Sequence, residues 1–192
     1  MTNPRPTDTS AALWLWRHPA AQGARGRCIG RTDLAVDPRK AKRLAHRIRH
    51  TARREALPQR VHVSPLRRAR AVGRWLSRWG WHCQVDARLA ECDFGSWDGR
   101  PWAEIAWHEV TAWEADLLHH RPGAGEPLHQ VMARARAWAL SAASDGQLVL
   151  AVTHGGVISA LRLQLAHAAA MCASTWPAAP RHGSLTRLTI QP

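Results

Sequence analysis

Ala11-Ala12-Leu13-Trp14-Leu15-Trp16-Arg17-His18-Pro19 is the stretch that decides the fold. Its first six residues are apolar and read as a buried strand. The run stops at a cation and an imidazole. A second strand-like run, Leu148-Val149-Leu150-Ala151-Val152-Thr153, stops at His154, followed by Gly155-Gly156. Two histidines delivered at strand ends, one beside arginine and one beside glycine, suggest a pocket for an anion.

Outward from these runs, strand and helix signals alternate. The loop from Pro19 to Pro38 carries Gly23, Gly26 and Gly30. A basic helix is expected over about 38–55, with Pro38 in its first turn and Leu44, Ile48 and Ala52 on one face. Arg60-Val61-His62-Val63 alternates as a strand and runs into Ser64-Pro65, which predicts a capped helix start. That helix should end near Trp79, before Gly80. A short strand is expected over 82–85, a helix from about Glu126 to Ala143, a helix from Gly155 to near Met171, and an edge strand over 185–190. Residues 91–125, rich in glycine and tryptophan, read as a small helical insert over a site. The tryptophans at 75, 79, 107, 113 and 138 lie in helical stretches and are expected in a core or an interface.

Strands separated by helices predict an α/β three-layer sandwich, a mostly parallel sheet flanked by helices. One domain is expected over 11–192, after a loose tail over 1–10. In such sheets ligands collect at the carboxyl ends of strands. Arg17-His18, Ser64 to Arg68 and His154-Gly155 all stand at such ends.

The net charge of +13 raises nucleic acid as a partner. Yet 25 of the 27 basic residues are arginine, and the chain has eleven tryptophans and no tyrosine. That skew runs through the whole chain and points to compositional bias, so a small phosphorylated substrate is the expected partner. A polyanion-binding protein stays as the rival from another class. No apolar stretch approaches the length of about 18 residues needed to cross a membrane. No export signal precedes Arg17, so a cytoplasmic location is expected. Cys28, Cys83, Cys92 and Cys172 show no metal spacing and read as reduced thiols. No metal or other cofactor is expected, and the oligomeric state is left open.

A phosphoryl group needs positive charge around its non-bridging oxygens, and arginine offers a planar fork of donors. A neutral imidazole can attack phosphorus. The leaving oxygen needs a proton, for which Glu91 stands ready, with Asp93 and Asp98 as rivals. In order along the chain, Arg17-His18, Ser64-Pro65-Leu66-Arg67-Arg68-Ala69, Leu89-Ala90-Glu91 and His154-Gly155 resemble the motifs of the histidine phosphatase (phosphoglycerate mutase-like) superfamily.

The likeness spans about residues 13–165. It implies metal-independent phosphoryl transfer, with His18 as nucleophile, Glu91 as proton donor, and Arg17, Arg68, His154 and Gly155 around the phosphate. Within that superfamily, Gly30-Arg31-Thr32-Asp33 and Glu91-Cys92-Asp93-Phe94-Gly95-Ser96-Trp97-Asp98-Gly99 resemble the alpha-ribazole phosphatases of cobalamin biosynthesis. Alpha-ribazole 5'-phosphate is then the implied substrate, with Trp97 and Trp102 as stacking candidates for its aromatic base. A mutase that returns the phosphate to its substrate is the alternative within the same fold.

Three departures stand out. Pro19 replaces the glycine of the R-H-G motif and removes a backbone donor. Ala24 falls where an asparagine is expected, and Pro127 where serine is common. Gln22 or Arg31 is expected to compensate in the phosphate pocket.

Overall fold

The structure, a computed structural model, describes residues 10–144, 146–165 and 175–191. Residues 1–9 of the expected tail, the expected helix end near Met171, and Cys172 lie outside them. Five strands form one sheet: β1 (Ala11–Arg17), β2 (Arg60–Val63), β3 (His82–Val85), β4 (Val149–Thr153) and β5 (Leu185–Ile190), in the order β3-β2-β4-β1-β5. The first four run parallel, and β5 closes the edge antiparallel to β1.

Helices α1 (Pro38–Arg54) and α2 (Arg67–Arg78) cover one face of the sheet. Helices α4 (Leu128–Ala142) and α5 (Gly155–Leu165) cover the other, while α3 (Trp107–Ala115) lies in the insert. The alternation within β1 explains both layers. Leu13 and Leu15 pack with Val131, Trp138 and Ile158 on the α4 and α5 side. Trp14 and Trp16 pack with Leu44, Ile48, Val72 and Leu76 on the other. A strand buried on both faces is what a covered parallel sheet requires.

The register sets the position of the site. Arg17 is paired with Thr153, and Val152 with Val63. The next residues, His18, His154 and Ser64, therefore emerge side by side from the carboxyl edge of three adjacent strands. Strand polarity alone brings together residues separated by up to 136 positions.

Two expected helix starts move. Helix α2 begins at Arg67 rather than at Ser64-Pro65, because Ser64 is drawn away to His154 and Asp33 Oδ1 accepts from the Arg67 amide at 2.6 Å instead. Helix α4 begins at Leu128 with Pro127 at its N-cap, because Glu126 is held in an ion pair with Arg134 at 2.7 Å. The insert contains short 3-10 turns and the nine-residue α3, with a small cluster of its own around Cys28, Trp97 and Ile105. Trp138 is fully buried, but Trp107 is 75% exposed and belongs to no core. Cys28, Cys83 and Cys92 are free thiols. No described helix is long and apolar enough to cross a membrane.

Candidate active site

His18 lies at the centre. Its Nδ1 is 2.6 Å from the carbonyl oxygen of Pro19, so Nδ1 carries the proton and Nε2 keeps its lone pair. Arg68, reaching from the first turn of α2, places Nε 3.3 Å from that Nε2 and 3.2 Å from Nδ1 of His154. The rest of the guanidinium is fixed by loop carbonyls: Nη1 donates to Thr32 at 2.8 Å and Nη2 to Gly30 at 2.6 Å. His154 has its Nε2 2.6 Å from the Ser64 hydroxyl. Ser64 is thus not a helix cap but the anchor of the second histidine.

Burial holds both imidazoles neutral, driving the basicity of His18 and His154 well below the usual histidine range. Arg68 adds to the effect on His18, and His18 followed by Arg68 to that on His154. A neutral His18 with an unprotonated Nε2, which here accepts from Arg68 Nε, is the form that can attack an electrophile. Arg17 donates through Nη1 to the Pro180 carbonyl at 2.8 Å, while its Nε is buried and makes no hydrogen bond. That is a cationic donor with capacity left for an anion.

Glu91 stands at the start of α5. Its Oε2 accepts from the Gly156 amide and its Oε1 from the Cys92 amide, both at 3.1 Å. A Cβ on Gly156 would displace the Glu91 carboxylate, and one on Gly155 would lie 3.1 Å from Arg17 Cζ, so the absence of side chains at both glycines lets Glu91 and Arg17 approach closely. Arg134 braces the Glu91 segment, donating to the carbonyls of Arg88 and Ala90 at 2.6 Å and of Glu91 at 3.2 Å. The rival carboxylates are structural. Asp93 Oδ1 accepts from the Gly95 amide at 2.8 Å. Asp98 clasps the amides of Gly30, Arg31 and Thr32, and so holds the two carbonyls that grip Arg68.

These groups meet in a cavity of about 500 Å³. Arg17, His18, Arg68, Glu91, Gly155 and His182 line it together with the apolar Phe94, Trp102, Trp113, Leu117, Leu128 and Trp176 and the charged Arg27, Glu114 and Glu126, whereas His154 is not in its lining. Trp102 and Trp113 lie nearly parallel, with ring centroids 6.5 Å apart, and Phe94 stands edge-on to both. Of the two expected stacking residues, Trp102 lines the cavity, but Trp97 is buried in the insert cluster and does not. The expected compensators do not reach the cavity either. Gln22 is exposed outside its lining, and Arg31 lies 3.6 Å from Glu126. His182, which no sequence motif announces, lines the cavity beside His18, with ring centroids 5.3 Å apart.

The profile of the histidine phosphatase superfamily (branch 1) matches residues 13–192. The chain belongs to that superfamily. Solved structures agree with it. A mycobacterial glucosyl-3-phosphoglycerate phosphatase, in complex with VO3, superposes with a TM-score of 0.74 at 27% identity, covering 92% of each chain. The alpha-ribazole phosphatase of Shigella flexneri gives a TM-score of 0.73 at 26% identity, covering 92% of this chain and 89% of its own. A putative alpha-ribazole-5'-P phosphatase of Escherichia coli gives 0.74 at 26% identity, covering 94% and 91%. No curated protein sequence matches the chain.

Proposed function

We propose that the protein is a metal-independent phosphomonoester hydrolase that works through a phosphohistidine on His18, and that its substrate is alpha-ribazole 5'-phosphate. The observation that carries the chemistry is the His18 ring itself. It is neutral, its Nδ1–H is tied to the Pro19 carbonyl, and its Nε2 faces the Arg68 guanidinium.

In the first step the Nε2 lone pair bonds to phosphorus as the bond from phosphorus to the ester oxygen breaks. Glu91, in its protonated form, gives its proton to that oxygen, and the alcohol leaves neutral. The positive charge that develops on the ring is stabilised at Nδ1 by the Pro19 carbonyl. In the second step the Glu91 carboxylate takes a proton from water, the water oxygen bonds to phosphorus, and the N–P electrons return to Nε2. Inorganic phosphate leaves and Glu91 is protonated again. Arg17, whose approach Gly155 allows, and Arg68 balance charge on the non-bridging oxygens throughout, while His154 completes the phosphate pocket by accepting from Arg68 Nε.

The substrate reading rests on the aromatic residues of the cavity. Trp102, Trp113 and Phe94 present aromatic faces and edges suited to a planar aromatic base. The test is kcat/KM for alpha-ribazole 5'-phosphate and for the sugar ester glucosyl-3-phosphoglycerate, and for phosphoglycerate isomer exchange, with excess chelator present. Preference for alpha-ribazole 5'-phosphate is expected. Preference for the sugar ester would overturn the substrate, and loss of activity in chelator would overturn metal independence.

A further inference from the structure

His182 has no part in the motifs that define the site, yet it is held in it with care. The turn that carries it is bound to the end of β1 by three contacts. The Arg17 amide donates to the Ser184 carbonyl at 3.1 Å, the Gly183 amide donates to the Arg17 carbonyl at 2.9 Å, and Arg17 Nη1 donates to Pro180. Gly183 takes φ +73°, which lets the chain turn back there. The ring makes a fourth contact, with Nδ1 3.2 Å from the carbonyl oxygen of His18. A carbonyl only accepts, so Nδ1 carries a proton. Nε2 is then the ring nitrogen left for the cavity that His182 lines.

Across from it, the loop after β1 offers few donors: Arg27 lines the cavity but gives its Nη1 to the Gly99 carbonyl at 2.8 Å. Pro19 lacks an N–H. Ala21 and Ala24 line the cavity with methyl groups.

We infer that His182 is a phosphate-binding residue whose Nε2–H, protonated from solvent as the oxyanion binds, donates to a non-bridging oxygen and replaces the backbone donor that Pro19 lacks. This rests on the phosphate-pocket reading above. His182 stands exposed at the cavity rim, so a proton reaches it directly. In the free protein its basicity is lowered by desolvation against its neighbours and then by Arg17, with Arg68 adding to it. The charged and titratable groups around it are Arg17 at the end of β1, His18 just after it and Arg68 on α2, with Arg27 lining the same cavity. Glu91, Glu114 and Glu126 line the same cavity. A bound dianion reverses the local field and favours the imidazolium. Oxyanion binding is therefore coupled to proton uptake at His182, and affinity falls as pH rises.

Tungstate, a dianion across about pH 6 to 8, where histidine titrates, is the probe. Binding is measured by calorimetry on the full chain for wild type, His182→Ala, His182→Gln and His182→Asn. Glutamine places its amide nitrogen near the position of Nε2, and asparagine near that of Nδ1. For the alanine variant, loss of a charge-assisted hydrogen bond predicts binding about tenfold weaker at the acid end, with a flatter pH profile. His182→Gln should keep most of the affinity and lose the pH slope, while His182→Asn should behave like alanine. Unchanged affinity and slope in His182→Ala would overturn the inference. So would rescue by asparagine but not glutamine, which would leave His182 only positioning the His18 carbonyl. Failure of the wild type to bind tungstate would contradict the phosphate pocket itself, and this inference with it.

Discussion

At the sheet end of the cavity, the side chains of the proposed chemistry leave the ends of β1 and β4, the first turn of α2 or the segment after β3, and each is fixed by named bonds. His18 is tied to Pro19, Arg68 to Gly30 and Thr32, His154 to Ser64, and Glu91 to Gly156. At the insert end, Trp102 stands 39% exposed in a 3-10 turn, and α3 buries none of its residues. The first region is organised around developing charge, which rewards rigidity. The second is organised around an apolar body, where area and shape matter more than any single bond. On the proposed function, the contrast puts chemistry at the strand ends and choice of substrate at the insert.

The strongest way to break that division is Arg68→Lys. Lysine keeps the charge but cannot hold both loop carbonyls and also face both histidines. A fall in kcat of at least about a hundredfold on every phosphomonoester is expected, in line with loss of a preorganised donor. A loss confined to one substrate would contradict a role in the chemistry.

Glu91→Gln comes next. Loss of general acid predicts a kcat/KM, which reports the first step, about a hundredfold lower for an alkyl phosphate but far less changed for p-nitrophenyl phosphate, whose leaving group needs little protonation. Equal losses of kcat/KM on the two substrates would remove Glu91 from that role.

Trp102→Ala sharpens the other side of the comparison. Loss of one aromatic contact predicts a KM about threefold to tenfold higher for an aromatic ester and unchanged for glycerol phosphate. A matching rise for both would place Trp102 in general packing instead.

The smallest effect concerns stability. His18, His154, His62 and His182 all have lowered basicity in the fold, chiefly by burial. Below the ordinary histidine value of 6.5 the unfolded chain binds protons that the folded chain refuses. Unfolding free energy should therefore decline as pH drops below about 6.5 in the absence of oxyanion, and level off above it. Urea denaturation at a series of pH values checks the sign. Rising stability on acidification would contradict neutral imidazoles in the native site.

The sheet was legible in the sequence because apolar runs and their punctuation are local signals. Strands β2, β3 and β5 match the expected 60–63, 82–85 and 185–190. Ser64 misled because its hydroxyl serves His154, a partner 90 positions away. His182 was invisible for the same reason, since its place depends on a turn clamped to β1 rather than on any neighbour in the chain. Arg31 read as a phosphate ligand because its motif is suggestive, whereas Glu126 lies beside its side chain and Asp98 takes its amide. Trp97 and Trp102 looked alike in sequence, and only packing separates the buried ring from the exposed one.

The central claim is covalent chemistry at His18. Mixing the protein with substrate, quenching in denaturant at alkaline pH and mapping by mass spectrometry tests it most directly. One phosphoryl group on His18 is expected. It should build up in Glu91→Gln supplied with p-nitrophenyl phosphate, because the second step lacks its base, and be absent from His18→Ala. A phosphoryl group on another residue, or full turnover by His18→Ala, would contradict the account.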